Sequence, residues 1–266
     1  MTPPAPSRTG ARCTPRRSLA VCGAVALTLS VAGCGGAAAD DAKPEKRSFA
    51  LAGRTLTIDS RNSDLVLVPA DVREVQVTRW FDGWSVFGTV DRPTWSMHDG
   101  TLSLRVECGG LISNCAARHE IRVPRGVEVR ASESNGSVRA SGFSARLRLS
   151  SNNGDVSVHG SSGPLGLRTH NGGIDATGNT ARRISAESAN GDVRVSAART
   201  PDRVTARTEN GDITLTVPDT SYRVTAAGRN GGVSVDVPRA DRSRHVLDAH
   251  SANGGITVRA GDGPSR

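Results

Sequence analysis

The chain has 266 residues, with 34 Lys and Arg against 26 Asp and Glu, and therefore a formal net charge of +8. Gly, Ser, Thr, Asn and Val outweigh the strong helix formers, which disfavours a helical bundle, and recurrent valine-rich alternating segments argue against a disordered chain. A positive charge of this size indicates nucleic-acid binding only where the basic residues form a continuous surface.

The first 33 residues have the features of an export signal. They contain four arginines, no acidic residue and an apolar run over residues 19–32 that is too short to cross a bilayer comfortably as a mature helix. The run ends in Val-Ala-Gly followed by Cys34, and this motif resembles the lipobox of bacterial lipoproteins. The resemblance implies that Cys34 is linked to diacylglycerol and becomes the new N-terminus.

Cleavage before Cys34 changes the meaning of the net charge. It would leave 30 basic residues against 26 acidic ones, so half of the excess belongs to the signal. Residues 34–47 are then expected to hold the lipidated cysteine and a flexible tether, whose root-mean-square reach is about 20 Å. A single folded domain is expected over residues 48–262, on the outer face of the cell membrane.

The cysteines agree with export. Cys13 and Cys22 lie in the signal and Cys34 takes the lipid, which leaves Cys108 and Cys115 separated by six residues. An even pair in an oxidising compartment predicts a disulfide. A zinc site is disfavoured, because two cysteines with only His119 nearby do not complete a tetrahedral set of ligands.

The rest of the chain is a repeat marked by the dipeptide Asn-Gly. The dipeptide recurs seven times at steps of 18 to 23 residues, each time followed by one small residue and then Val or Ile. An eighth, degenerate copy begins at Asn62. The predicted repeat corners are Asn135 and Gly136, Asn153 and Gly154, Asn171 and Gly172, Asn190 and Gly191, Asn210 and Gly211, Asn230 and Gly231, and Asn253 and Gly254.

One apolar register surrounds the Asn of all eight copies. Apolar residues lie six and four positions before it, and three and five positions after it. Such alternation predicts two strands with one buried face each, joined by the Asn-Gly corner. An antiparallel meander with type I′ turns fits this pattern, as does a β-solenoid whose equivalent strands stack in parallel from coil to coil. The period favours the solenoid, an all-β rod of about eight two-strand coils of 18–20 residues, in which the Asn side chains can hydrogen-bond one another.

Residues 69–126 interrupt the period. They contain strand-like stretches at Glu74–Thr78, Thr101–Glu107 and Glu120–Val123, which are expected to join the same sheets, and five of the eight aromatic residues. Because the terminal apolar layer of a solenoid needs a cap, we interpret this segment as an irregular N-terminal capping insertion. The alternative is a ligand platform for sugar rings or apolar groups of a partner. The residues of that platform would be Trp80, Phe81, Trp84 and Trp95.

The sequence predicts no cofactor, metal site or catalytic group. The Asn-Gly-Asp corners, for example at Asp155 and Asp192, lack the nonapeptide spacing of calcium-binding β-rolls and are interpreted as solvated. The six histidines fall at unlike repeat positions, without a nucleophile signature. The outward residues four positions after each Asn are of mixed type, so no basic stripe for nucleic acid is expected.

The lipobox, the N-G-[DSG]-[VI] repeats and the alternating pattern over residues 48–260 resemble the bacterial DUF4097 family of β-strand-repeat lipoproteins, which are described as candidate adhesins. The resemblance implies a β-solenoid outside the cell membrane and offers no catalytic residues to carry over. We expect a non-catalytic, membrane-anchored scaffold that binds an envelope protein or a cell-wall glycan. The alternatives are a carbohydrate-active β-helix enzyme that uses Asp155 and Asp192, and an envelope-stress sensor with a protein partner. The oligomeric state is left open.

Overall fold

The computed structural model describes residues 42–86, 93–107 and 112–261, whose regular elements are all β-strands. No helix within these ranges is long and apolar enough to cross a membrane. The strands that precede the Asn-Gly coils are β1 (Glu45–Phe49), β2 (Thr55–Arg61), β3 (Asp64–Ala70), β4 (Val75–Val86), β5 (Thr94–His98), β6 (Thr101–Arg105) and β7 (Ile112–Pro124). The Asn-Gly coils contribute β8 (Glu128–Asn135), β9 (Val138–Ser141), β10 (Leu147–Asn153), β11 (Val156–His159), β12 (Leu165–Asn171), β13 (Ile174–Asn179), β14 (Arg183–Asn190), β15 (Val193–Ala197), β16 (Arg203–Asn210), β17 (Ile213–Val217), β18 (Arg223–Asn230), β19 (Val233–Asp236), β20 (Val246–Asn253) and β21 (Ile256–Ala260).

The strands form two sheets that enclose one apolar core. Equivalent strands of neighbouring coils are parallel and in register, so that Asn153 of β10 lies opposite Asn135 on one side and Asn171 on the other. This stacking confirms the β-solenoid, and the antiparallel meander is wrong. The orders are β1-β4-β7-β3-β9-β11-β13-β15-β17-β21-β19 in the eleven-stranded sheet and β18-β20-β16-β14-β12-β10-β8-β2-β6-β5 in the ten-stranded sheet.

The core consists of the apolar positions that the repeat register predicts. In the Asn153 coil, Leu147 and Leu149 of β10 and Val156 and Val158 of β11 are all buried, while the residues between them face outward. Burial of such side chains is the main source of solenoid stability, at about 25 cal/mol per Å² of apolar surface. Several inward positions hold only Ala, such as the fully buried Ala206, which fits two sheets that approach closely.

The segment between the first and second coils extends both sheets at the N-terminal end of the rod. The long strands β4 and β7 pair antiparallel next to β3, while β6 and β5 continue the other sheet from β2. Leu102 and Leu104 of β6 are fully buried and Val77 of β4 is 1% exposed. The predictions that the segment joins the same sheets and caps this end are confirmed.

The folded domain begins earlier than predicted. Strand β1 starts at Glu45, inside the range of residues 34–47 that the sequence assigns to the tether. It pairs antiparallel with the edge of β4 and buries Phe49. The charged, extended sequence Glu-Lys-Arg-Ser does not look like a strand, and only an available sheet edge makes it one.

The last two coils are not stacked in chain order. Strand β20 lies between β16 and β18, and β21 lies between β17 and β19, so the Asn253 coil is inserted before the Asn230 coil. Of these two coils, the one with the smaller apolar residues therefore lies at the end of the rod. That coil carries Ala226 and Gly228 on β18, and its Val233 is 45% exposed. By contrast, Leu247 and Ile256 of the inserted coil are 1% exposed or less.

Candidate functional site

The corner asparagines form a ladder of side-chain amides along the whole rod. In each Asn-Gly coil the Asn Nδ2 donates to the Oδ1 of the Asn in the neighbouring coil, at distances of 2.7 to 2.9 Å. Asn62 closes the N-terminal end of the ladder by donating to the carbonyl oxygen of Val106 at 2.8 Å. The predicted bonding between asparagines is confirmed, and it occupies the amides of these residues with one another. In spatial order the ladder is Asn62, Asn135, Asn153, Asn171, Asn190, Asn210, Asn253 and Asn230.

The corner glycines are required by close backbone stacking. A Cβ atom at any of the seven would lie 2.0 to 2.4 Å from a carbonyl oxygen of the neighbouring coil, a distance at which no side chain fits. Six of them also have φ between 146° and 158°, which L side chains rarely adopt. Among the corner asparagines of the described chain, Asn62 alone has positive φ. The role of the Asn-Gly corners is therefore structural, because they allow neighbouring coils to stack closely.

A second ladder, which the sequence analysis missed, runs inside the first. A buried hydroxyl two residues before the Asn donates to the corner glycine carbonyl of the neighbouring coil, at 2.8 to 3.0 Å. The sequence feature that could have revealed this ladder is a Ser or Thr at an inward position of each alternating strand, where an apolar residue is expected. The hydroxyl donors are Ser151, Thr169, Ser188, Thr208 and Ser251.

The acidic corner residues Asp155 and Asp192 are exposed and partly exposed, respectively, and their carboxylates also have a structural role. The carboxylate of Asp155 accepts the backbone N–H of Gly173 at 2.8 Å, and that of Asp192 accepts the N–H of Asp212 at 3.0 Å. The bond from the Asp212 amide, helped by Arg194, lowers the pKa of Asp192. Because both carboxylates serve as acceptors for the backbone of the next coil, they are poorly placed to act as a catalytic pair.

We expect the amide ladder to contribute measurably to stability. Replacing Asn153 by Ala removes hydrogen bonds to both neighbouring asparagines, and should lower the free energy of unfolding by about 1 to 2 kcal/mol. The adjacent Asn152 is exposed and lies outside the ladder, so Asn152→Ala serves as the matched control and should change stability by less than about 0.5 kcal/mol. Urea denaturation followed by circular dichroism measures both, and equal effects would mean that the ladder adds nothing.

The four aromatic residues of the predicted platform lie on two faces of the insertion. Trp80 and Trp84 point outward from β4, where Trp84 is 47% exposed and the guanidinium of Arg118 lies 4.2 Å from the Trp80 ring centroid. Phe81 is paired with the buried Ala117 and so faces inward. Trp95 packs against the core. The structure therefore does not bring the four together, and only the two outward tryptophans share a surface.

Charged groups are buried inside this insertion. Arg79 is 7% exposed, forms an ion pair with Glu45, donates to the carbonyl of Pro93 at 2.5 Å, and lies under the ring of Trp95. His119 lies opposite Arg79 on the neighbouring strand and is fully buried. Burial first, and then the positive charge of Arg79, lower the pKa of His119 to about 3. Neither ring nitrogen of His119 has a hydrogen-bond partner among the described residues.

The outer face of the ten-stranded sheet carries three clefts, of about 360, 490 and 530 Å³. The residues that line the first cleft include Arg130, Arg148 and Gly166. It shares Arg168 and Glu187 with the second cleft, and Glu187 also lines the third. The clefts are therefore continuous and run across the strands along the axis of the rod.

Two of the predicted site residues, Cys34 and Cys108, lie outside the described residues. Cys115 lies in β7, opposite Gly83 of β4. Lipid attachment at Cys34 and the disulfide between Cys108 and Cys115 therefore stay predictions.

Comparison with known proteins places this architecture in a family. Solved structures similar to the chain include a candidate adhesin from Bacteroides fragilis, with 13% identity, a TM-score of 0.46 and coverage of 82% of this chain and 97% of the other. A candidate lipid-binding protein from Parabacteroides distasonis has 11% identity, a TM-score of 0.31 and coverage of 82% and 98%. A candidate adhesin from Parabacteroides merdae has 11% identity, a TM-score of 0.31 and coverage of 84% and 98%. The search of curated proteins found no match. The profile of the Toastrack DUF4097 family matches residues 39–263, and the chain belongs to that family.

Proposed function

We propose that the protein is a non-catalytic lipoprotein, anchored to the outer face of the cell membrane, whose solenoid is a rigid scaffold for binding a component of the envelope. The observation that carries the proposal is the use of the repeated polar residues. Corner asparagines, inner hydroxyls and the Asp155 and Asp192 carboxylates all bind the neighbouring coil, so the repeated pattern builds a rod, while the outward residues differ from coil to coil. Such a rod is suited to presenting a surface at a distance from the membrane.

The anchor is supported by the lipobox-like motif and by the apolar run before it. We also propose the disulfide between Cys108 and Cys115, which suits an oxidising compartment and would link Cys115 of β7 to a residue shortly before that strand. The carbohydrate-active enzyme is disfavoured because its candidate carboxylates are engaged with backbone amides. An envelope-stress sensor would use the same rod to hold a protein partner, which crosslinking in intact cells would identify.

Replacing Cys34 by Ala should release the protein from the membrane. We expect the wild type in the membrane pellet with incorporation of labelled palmitate, and the variant in the soluble or secreted fraction without label. Cys22→Ala, in the apolar run of the signal, is the matched control and should leave both readouts unchanged. A Cys34→Ala variant that stays fully membrane-associated would contradict the anchor.

A further inference from the structure

Two arginines on the ten-stranded sheet form an uncompensated pair. Arg130 of β8 and Arg148 of β10 lie directly opposite each other on adjacent parallel strands and are both exposed. Their Cα atoms are therefore about 4.8 Å apart, and like charges in that position destabilise a sheet. Within the described part of the chain, neither guanidinium has a hydrogen-bond or ion-pair partner.

Elsewhere on this face Arg183 of β14 and Arg203 of β16 form a second facing pair without a partner among the described residues, but they line none of the three clefts. Other arginines of the face are paired with acidic residues. Arg168 pairs with Glu187 on the next strand at 2.5 Å, and Arg207 pairs with Asp248 at 3.4 Å. The acidic residues beside Arg130 and Arg148 are paired with other arginines. Asp59 pairs with Arg105 at 2.5 Å, and Glu128 lies 3.8 Å from Arg146. The charge of Arg130 and Arg148 is thus left for something outside the sheet.

Arg130 and Arg148 both line a cleft that could hold a ligand. Gly166 of β12 lies directly opposite Arg148, and because it has no side chain the outward row is interrupted beside the two guanidinium groups. The resulting cleft of about 360 Å³ is also lined by the hydroxyl-bearing residues Thr57, Ser150 and Ser185. It opens into the two further clefts along the rod, so a ligand can be extended across several strands.

The composition of the lining restricts the class of ligand. Of the residues that the structure describes, no Trp, Tyr or Phe lines any of the three clefts. Nucleic-acid single strands, protein partners and neutral sugar rings are all commonly bound through aromatic side chains, so these three classes of ligand are disfavoured. Hydroxyl, amide and guanidinium groups suit a chain rich in hydroxyls that carries carboxylate or phosphate groups, which Arg binds through two parallel hydrogen bonds.

We propose that this cleft binds an anionic saccharide chain, with Arg130 and Arg148 holding a carboxylate or phosphate and the adjoining clefts holding the sugar units that follow. The inference rests on the proposed function in that it names the ligand of the scaffold. It is tested on purified protein, so that failure of the anchor and failure of the ligand are separate results.

The experiment is titration of purified full-length protein with polygalacturonate fragments, with dextran phosphate, and with neutral dextran, by isothermal calorimetry at low and at physiological salt. We expect binding to at least one of the two anionic polymers and none to dextran. The arm that binds identifies carboxylate or phosphate as the recognised group. Arg130→Gln with Arg148→Gln should weaken that binding by about tenfold or more, because two charge-assisted contacts are lost.

Two further variants make the result specific to the cleft. Arg73→Gln with Arg139→Gln removes the same charge from exposed positions elsewhere and should change the affinity by less than about twofold. Gly166→Val should weaken binding by about tenfold without altering charge, since its Cβ would fill the cleft at an ordinary 3.5 Å from Arg148 Cγ. Circular dichroism of every variant establishes that it is folded.

Several outcomes would overturn the proposal. The proposal is wrong if the wild-type protein binds neither anionic polymer. It is also wrong if the two double variants lose equal affinity, because that would mean non-specific electrostatic attraction. Retained affinity in the Arg130 and Arg148 double variant would place the ligand elsewhere. Preference for vesicles with a fifth of anionic phosphatidylglycerol over both polymers would assign the arginines to the membrane surface.

Discussion

Replacing Gly172 by Ala is expected to lower the free energy of unfolding by about 3 to 5 kcal/mol, or to prevent folding altogether. The new Cβ would lie 2.3 Å from the carbonyl oxygen of Gly154 and 2.6 Å from its carbonyl carbon. Both atoms belong to the backbone of a stacked coil and cannot rotate away, so two coils must separate. Overpacking and an alanine held at φ 158° each cost about 1 to 3 kcal/mol.

The next residue in the chain provides the control. A Cβ at Gly173 would meet its nearest atom, the carbonyl oxygen of Asp192, at 3.5 Å, which is ordinary contact. Gly173→Ala should therefore change stability by less than about 1 kcal/mol in either direction. Urea denaturation midpoints of the two single variants measure the difference. If both alanines cost the same, close stacking is not the reason for glycine at the corner.

The repeat could be predicted from sequence because each of its causes is local. Alternation of apolar residues around Asn153 fixes which face of β10 and β11 is buried, and the glycine at position 154 reports a corner where a side chain does not fit. Stacked asparagines at one register position can bond only with one another. Core, corners and amide ladder were therefore all accessible from the spacing of residues.

The order of the last two coils could not be predicted in this way. Coils that share the Asn-Gly corner and the alternating strands offer the same backbone partners, so β20 pairs equally well with β16 or β18. What distinguishes the coils is how much apolar surface each one would expose to solvent at the end of the rod. The Asn230 coil, with Gly228 at the position of the inner hydroxyl, leaves less than the Asn253 coil. This difference in exposed apolar surface can be compared only when all the coils are stacked.

The arginine cleft and the arrangement of the aromatic residues also could not be predicted from the sequence, for a different reason. The outward row that contains Arg130, Arg148 and Gly166 lies five positions before each Asn and shows no pattern along the chain. Its significance depends on which residues occupy adjacent strands and which carboxylates are already paired. The aromatic residues of the insertion were divided between its faces by the antiparallel pairing of β4 with β7, which the repeat does not specify.

Acid should destabilise the protein through His119. Its folded pKa of about 3 lies below the ordinary value of 6.5, so the unfolded chain takes up a proton first as the pH falls. Stability that is fully present above pH 6.5 is then lost progressively towards pH 3, by up to about 1.4 kcal/mol for each pH unit. At pH 4.5 the loss from this one group should be about 2 to 3 kcal/mol relative to pH 7.

Replacing His119 by Leu should remove that part of the pH dependence, because the side chain no longer gains a proton on unfolding. The stability difference between variant and wild type should grow by about 2 to 3 kcal/mol in favour of the variant from pH 7 to pH 4.5. His170 is exposed, so His170→Leu should leave the wild-type profile unchanged within about 0.5 kcal/mol. Urea unfolding of the three proteins at the two pH values measures the difference. A His119→Leu profile parallel to that of the wild type would show that the imidazole is protonated or solvated in the folded protein.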